Sequence, residues 1–273
     1  MKKLFSLLLA GLMIVSFAAC SDKEANANDL DSYRQEEIVV DHYTNEKGQT
    51  FYFDSLDSET ITITSYEGPD LPHVVEIPAV MEGKKVAGIS DMAFYSLSNI
   101  TEVVIPDSIT VIGDLAFAEC RQLVKINIPA TVESLGESVF WRCSSLETVT
   151  FAQGSKITEL PKFMFKECAS LKSVTVTANI EKVGDGAFHA CTALESVVIE
   201  EGVKTIGKQA FQDCDALASV SLPASLTEIG EYNFLGSEAL YLEGVTAPAD
   251  SAAAKYIATL NLTNKPVEET PAA

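Results

Sequence analysis

The chain predicts an α/β repeat fold, a solenoid with a short parallel β-sheet face, and three regularities in the sequence predict it. Phe94, Phe117, Phe140, Phe165, Phe188, Phe211 and Phe234 follow one another at 23 residues, except for one step of 25 between Phe140 and Phe165. Self-similarity at this period is the mark of stacked repeats. The phase also holds around each phenylalanine. Cys120, Cys143, Cys168, Cys191 and Cys214 stand three residues after it, and Ile100, Leu123, Leu146, Leu171, Leu194, Leu217 and Leu240 six after it. Nine and eleven after it come apolar pairs such as Val103/Ile105, Ile126/Ile128, Val174/Val176 and Val197/Ile199.

At the N-terminus, Lys2-Lys3 and the apolar run from Leu4 to Ala19 have the order of an export signal, basic region first and hydrophobic core second. The segment from Ser21 to about Glu37 is polar and acidic and reads as a flexible tether. Phe51-Tyr52-Phe53, the turn-rich Asp54 to Ser58, and the alternating Ile61-Thr62-Ile63-Thr64 make a hairpin that covers the open edge of the first repeat. Within each repeat, the L-x-x-V-x-I alternation gives a short strand with one buried face. Pro106, Pro129 and Pro223 end that strand because proline has no N–H for a ladder. A second apolar pair, such as Ile109/Ile112 or Val203/Ile206, returns the chain to the core. Glycine follows at 113, 136, 184, 207 and 230, where it suits a tight bend; Pro161 replaces it in the 25-residue repeat. The extra length, around Ala152 to Lys156, is expected to bulge as a loop. After Leu240 the phase fails, with Glu243 in place of a core valine, and Asp250 is placed to cap a short helix through Ile257. The chain thus divides into a leader over residues 1–19, a tether over 20–37, an N-terminal β cap over 38–69, repeats over 70–245, a C-terminal cap over 246–260 and a mobile tail over 261–273. One repeat buries too little apolar surface to offset the ordering of its backbone, so neighbours must share surfaces and both ends need caps.

The A-F-x-x-C, L-x-x-V-x-I-P and V-x-x-I-G segments together resemble the BspA-like subclass of leucine-rich repeats, found in bacterial surface proteins and some parasites. The resemblance runs over roughly residues 70–245 and implies a leucine-rich repeat solenoid. As to function it implies adhesion to host proteins or other cells. Phe17-Ala18-Ala19-Cys20 resembles a bacterial lipobox, which implies that Cys20 is lipidated and becomes the new N-terminus. The rival reading is cleavage after Ser16-Phe17-Ala18 with Cys20 left as a free thiol. Ser21-Asp22-Lys23-Glu24 resembles the acidic signal that turns some Bacteroidetes lipoproteins outward. The resulting expectation is an exported outer-membrane lipoprotein, exposed at the surface or, alternatively, facing the periplasm. Asp54-Ser55-Leu56, Asp107-Ser108-Ile109 and Asp250-Ser251-Ala252 resemble a short O-glycosylation signal of the same group.

Composition narrows the function. The net charge is −20, and two units more negative once Lys2 and Lys3 are removed with the leader. Nucleic-acid binding needs clustered Lys and Arg against the phosphate backbone, so it is excluded. Five cysteines in one phase point the same way from stacked repeats. Parallel Cβ vectors oppose disulfide geometry and do not converge on a metal. They read as a ladder of small buried residues. His42, His73 and His189 fall in unrelated phases, and no nucleophile elbow, HExxH or phosphate loop is present. No catalytic residue, metal ligand or cofactor is therefore assigned.

The outward strand positions carry the binding expectation. Lys125, Asn127, Thr148, Thr150, Ser173 and Thr175 are expected to line up from adjacent strands as a hydroxyl-rich face for a protein or glycan. The same small and β-branched residues equally suit a tightly spaced parallel sheet. Trp141, the only tryptophan, is a possible interaction anchor directed to the surface, or a lid over the neighbouring repeat. The sequence therefore reads as a non-catalytic, lipid-anchored surface protein that binds a host or cell-surface protein or glycan. The alternatives are an accessory lipoprotein of an envelope or glycan-handling complex, and a hydrolase whose site carries no recognisable motif.

Overall fold

A computed structural model of the chain describes residues 41–260, apart from 178, 242 and 243. The leader, Cys20, the tether, Glu243 and the tail lie outside the described residues. Three strands come first: β1 (His42–Thr44), β2 (Thr50–Ser55) and β3 (Thr60–Glu67), joined as antiparallel neighbours in that order. Two rows of parallel strands follow. One row contains β4 (His73–Glu76), β7 (Ile100–Val104), β9 (Lys125–Ile128), β11 (Thr148–Phe151), β13 (Ser173–Val176), β15 (Ser196–Ile199), β17 (Ser219–Ser221) and β19 (Val245–Thr246). The opposite row contains β6 (Lys84–Ile89), β8 (Val111–Ile112), β10 (Ser134–Leu135), β12 (Glu159–Leu160), β14 (Lys182–Val183), β16 (Thr205–Ile206) and β18 (Glu228–Ile229), with β5 (Val80–Met81) as an antiparallel partner of β6. The edge of β3 pairs in parallel with β6, so the hairpin expected over the first repeat is present and joins its sheet.

The third side of each turn is a corner built around the phenylalanine, and it is not helical. Two residues before and two after each phenylalanine the backbone is left-handed: Leu115 and Glu119 flank Phe117 at φ 56° and 60°, and Ser138 and Arg142 flank Phe140 at 57° and 58°. Such residues cost of order 1–3 kcal/mol unless the surroundings hold them. Here the alternation aims three N–H groups per turn at the next repeat. Leu115, Phe117 and Glu119 donate to the carbonyls of Glu137, Val139 and Trp141 at 2.7–3.0 Å. Backbone donors that bond to the next repeat cannot close i→i−4 bonds, which is why the α/β expectation fails. Among the described residues the one α-helix is α1 (Ala252–Ile257) at the C-terminal end. Its N-cap is Ser251, whose hydroxyl accepts from the Ala254 N–H at 3.0 Å; Asp250, the expected cap, sits one residue earlier at φ 61°.

The phenylalanine rings stack through the molecule with centroids 5.1–6.0 Å apart from Phe94 to Phe234. Tyr66 extends the stack at one end and Tyr256 of α1 at the other. Tyr66 keeps its hydroxyl satisfied by donating to His73 Nε2 at 2.8 Å, while His73 Nδ1 donates to the Leu71 carbonyl. Asn233 takes the place of a core alanine in the last repeat. It is fully buried, accepting from the Ala210 N–H and donating to the carbonyls of Gly207 and Gly230.

Both rows of strands break at the same place. One row forms a sheet β4–β7–β9–β11 and a separate sheet β13–β15–β17–β19; the other breaks between β10 and β12. The expected continuous sheet is therefore two. The break lies in the 25-residue repeat, and Pro161 explains it on two counts. The glycines in its phase sit so close to the preceding repeat that a Cβ would lie 2.3–2.7 Å from a backbone nitrogen. Proline brings both that Cβ and a ring. Those glycines also donate N–H bonds to the preceding repeat, as Gly136 does to Ile112 and Gly184 to Leu160, both at 2.8 Å. Proline has no N–H to give. Close approach, not a bend with positive φ, is thus what requires glycine there. The corner is unbroken across the same step. Ser138, Phe140 and Arg142 donate to Lys162, Met164 and Lys166 at 2.9 Å, and the Phe140 and Phe165 rings remain 5.6 Å apart.

Candidate functional site

The outward residues of the first row form two groups, one on each side of the break. In the first, Lys125 pairs in register with Glu102 and Thr148, and Asn127 with Val104 and Thr150. Their side chains are already engaged. Lys125 Nζ lies 3.1 Å from Glu102, and the Thr150 hydroxyl donates to Asn127 Oδ1 at 2.8 Å. In the second group, Ser173 is in register with Ser196 and Thr175 with Val198. Thr148 and Thr150 therefore do not stack on Ser173 and Thr175 as neighbouring rungs. They face them across a gap.

That gap leads into a cavity of about 260 Å³ with Thr148, Ser173, Thr175 and Thr177 in its walls. Its interior is apolar, lined by Leu160, Phe165, Ile180 and Phe188. Val149, Phe151 and Val174 are partly uncovered at its walls, whereas Val103, Ile126, Val197 and Val220, in the phase of Val149 and Val174, are no more than 3% exposed. On the opposite side, a second and more polar cleft of about 430 Å³ opens beside Leu135, Glu159 and Pro161. The backbone at the gap is unmatched as well. Glu147 donates to the Val124 carbonyl at 2.9 Å and Glu195 to that of Lys172 at 2.8 Å. Among the described residues no such bond joins Lys172 to Glu147. Ala152 and Glu200 donate to Ile128 and Val176 at 2.9 Å, and again Thr177 and Phe151 lack the counterpart.

Trp141 is half-buried rather than freely displayed. Its indole N–H donates to Glu167 at 3.4 Å, and the Arg142 guanidinium lies 4.5 Å over its ring. Arg142 also bonds Glu119 and Glu167, at 3.1 and 2.7 Å, while Arg121 bonds Glu119 at 2.6 Å. These charges belong to three successive repeats and clamp the corner where the sheets part. The bond from Arg121, with that from Arg142, holds the Glu119 carboxyl below the usual range against the opposing effect of burial. Burial alone would raise Glu167, but the bonds from Arg142 and Trp141 outweigh it and its carboxyl is also held low. The tryptophan is therefore part of this clamp, with its ring partly open to the surface.

The five cysteines in the repeats are free and buried. Each thiol donates to the phenylalanine carbonyl of the preceding repeat: Cys120 to Phe94, Cys143 to Phe117, Cys168 to Phe140 and Cys191 to Phe165 at 3.1 Å, and Cys214 to Phe188 at 3.3 Å. Burial pushes the Cys120 and Cys214 thiols up to about 12 and raises the other three as well. A thiol held neutral in this way is a poor nucleophile and a poor metal ligand. His42, His73 and His189 lie apart from the cavity walls.

The repeat units match the model of the BspA type leucine rich repeat region in six copies, over residues 87–217 and 183–251. The chain belongs to that family. A leucine rich cell surface protein from Faecalibacterium prausnitzii superimposes with a TM-score of 0.64 at 30% identity, over 77% of this chain and 55% of its own. A leucine-rich repeat protein from Eubacterium ventriosum does so at 0.61 and 26% identity, over 72% of this chain and 50% of its own. This chain thus spans about half the length of both. The leucine rich repeat protein of T. pallidum shares the fold at 22% identity and a TM-score of 0.62, over 89% of this chain and 98% of its own. No curated protein sequence matches the chain.

Proposed function

We propose that the protein is an exported, lipid-anchored, non-catalytic surface protein whose repeat array binds a protein or glycan partner. The observation that carries this reading is the gap between β11 and β13. A hydroxyl-bearing rim surrounds an apolar cavity there, in a row whose other neighbouring strands are paired. Ser and Thr hydroxyls both donate and accept hydrogen bonds, which suits carbonyls, amides and sugars alike. The similarity to a protein described as a cell surface protein supports the address, and the lipobox-like Phe17-Ala18-Ala19-Cys20 supports the anchor. One shallow site binds weakly, and display in many copies on a membrane raises its effective strength.

The anchor is tested by Cys20→Ala, which should release the protein from the membrane fraction or block its processing; unchanged membrane association counts against it. The surface is tested by a variant carrying Lys125→Glu, Thr148→Glu and Thr150→Glu, with partners captured from host-cell surface extracts and glycan arrays by the parent chain. Binding should be lost in a chain that still folds. The exposed ion pair that is removed contributes only about 0–1 kcal/mol, and some fall in the thermal midpoint is expected because the variant places carboxylates on two rungs in register beside Glu102. Normal binding by that variant, with loss in Trp141→Ala, would move the surface to the corner.

A further inference from the structure

Building on the binding surface proposed above, we infer that the gap between β11 and β13 takes an extended polypeptide strand, seated with an apolar side chain in the cavity. Both edges that face the gap carry unpaired backbone groups, with N–H donors and carbonyl acceptors alternating along each as on any edge of a parallel ladder. At the ends of these strands each repeat donates an N–H to a carbonyl of the repeat before it, as Glu147 does to Val124 and Glu195 to Lys172. At the gap the carbonyls of Glu147 and Phe151 and the N–H groups of Lys172 and Thr177 are among the groups left without these bonds. A strand running parallel to both presents alternating donors and acceptors to each side, and so can pair with both edges at once. A glycan has no such regular alternation of donors and acceptors.

The cavity points the same way. At about 260 Å³ it is smaller than the roughly 300–1,000 Å³ of pockets that enclose whole small molecules, and it suits one or two side chains. Phe165, Leu160 and Ile180 give it an apolar floor, so the inward residue of the guest is aliphatic or aromatic. Thr148 and Thr175 flank the entrance and favour polar outward residues. The guest is therefore a segment that alternates apolar and polar, like the chain's own strands. Because the corner is held at one-repeat spacing by the Phe140–Phe165 stack, the gap opens as a wedge away from the corner. The guest enters from the strand face.

The test uses the full chain and a fluorescein-labelled synthetic peptide with the sequence of residues 122–130, a native rung of this pattern. Anisotropy should show saturable binding, and amide exchange at Lys172 and Thr177 should slow in the complex. A peptide carrying Ile126→Asn and Ile128→Asn should bind about tenfold more weakly or worse. Two variants close the site by different routes. Deletion of Gln153 and Gly154 with Pro161→Gly restores a 23-residue unit, and Val174→Phe fills the cavity. Either, in folded form, should abolish peptide binding. The inference is overturned if the parent chain ignores the peptide up to about 1 mM, the weak end of specific binding. Equal binding by a folded closed variant, or amide protection confined to other strands, overturns it too. If surface partners still bind the parent chain and are lost in the triple glutamate variant while the peptide does not bind, the surface reading stands and the strand inference alone falls.

Discussion

The thiol of Cys168 shows how far a single side chain is determined by its phase. It is fully buried and donates to the Phe140 carbonyl, which also accepts the Cys143 N–H at 3.1 Å. At the same phase in the last repeat stands Ser237, whose hydroxyl reaches the Phe211 carbonyl at 3.3 Å. A serine at 168 would therefore find an acceptor waiting, and Cys168→Ser should cost about 1 kcal/mol, the low end of the range for burying a hydroxyl. Valine has no donor and adds a branch where the next repeat is in contact. Cys168→Val should cost more, about 1–3 kcal/mol through overpacking. Urea unfolding of both variants ranks them, and a serine variant less stable than the valine variant would show that the hydrogen bond contributes nothing. That these cysteines are core residues was legible in the sequence because five of them share one phase. Their acceptor was not, since it depends on carbonyl directions set by left-handed residues of quite ordinary identity, such as Glu119 and Arg142.

At the scale of the element, the five thiols act as one column. Each has a folded-state pKa above the unfolded value near 9, and Cys120 and Cys214 reach about 12. The sign of the linkage follows from which state gives up protons. Above about pH 9 the unfolded chain loses thiol protons while the folded chain keeps them, so unfolding is favoured as pH rises. The thiols' contribution is complete below that pH and is lost as pH rises above it, for Cys120 and Cys214 on the way to about 12. Each contributes about 1.4 kcal/mol per pH unit within that window. The thermal midpoint should be level near neutrality and fall steeply above about pH 9. A chain carrying Cys168→Ser and Cys191→Ser should fall less steeply, with two titrating groups fewer. Equal slopes in differential scanning calorimetry would mean that other groups govern the alkaline limit. The strands themselves were legible from the L-x-x-V-x-I alternation, and so was the hairpin from Phe51 to Thr64. The corner was not, because its residues carry no glycine pattern that would advertise left-handed backbone: only Gly186 and Gly236 occupy those positions.

At the scale of the whole molecule, the break divides the array into two blocks that share less than any other pair of neighbours. The step of 25 residues and Pro161 were visible in the sequence, and both suggest a local loop. What they do depends on contacts between repeats: the close approach of the glycine phase and the N–H that it supplies. Across the break, the blocks keep the three corner hydrogen bonds, the Phe140–Phe165 stack and the Arg142–Glu167 bond. They lose both strand pairings. In a stacked array, cooperativity is carried by nearest-neighbour interfaces, so a weak interface lets the two sides unfold separately. Residues before the break should thus exchange their amides with a free energy and a urea dependence different from those after it, with β9 and β15 as reporters. Trp141 at the boundary should report a fluorescence transition that does not coincide with the loss of far-ultraviolet circular dichroism. Deleting Gln153 and Gly154 together with Pro161→Gly should restore pairing between β11 and β13 and merge the transitions into one. If β9 and β15 already exchange through a single common opening in the parent chain, the corner alone couples the array, and the gap between the sheets is a feature of its surface and not of its stability.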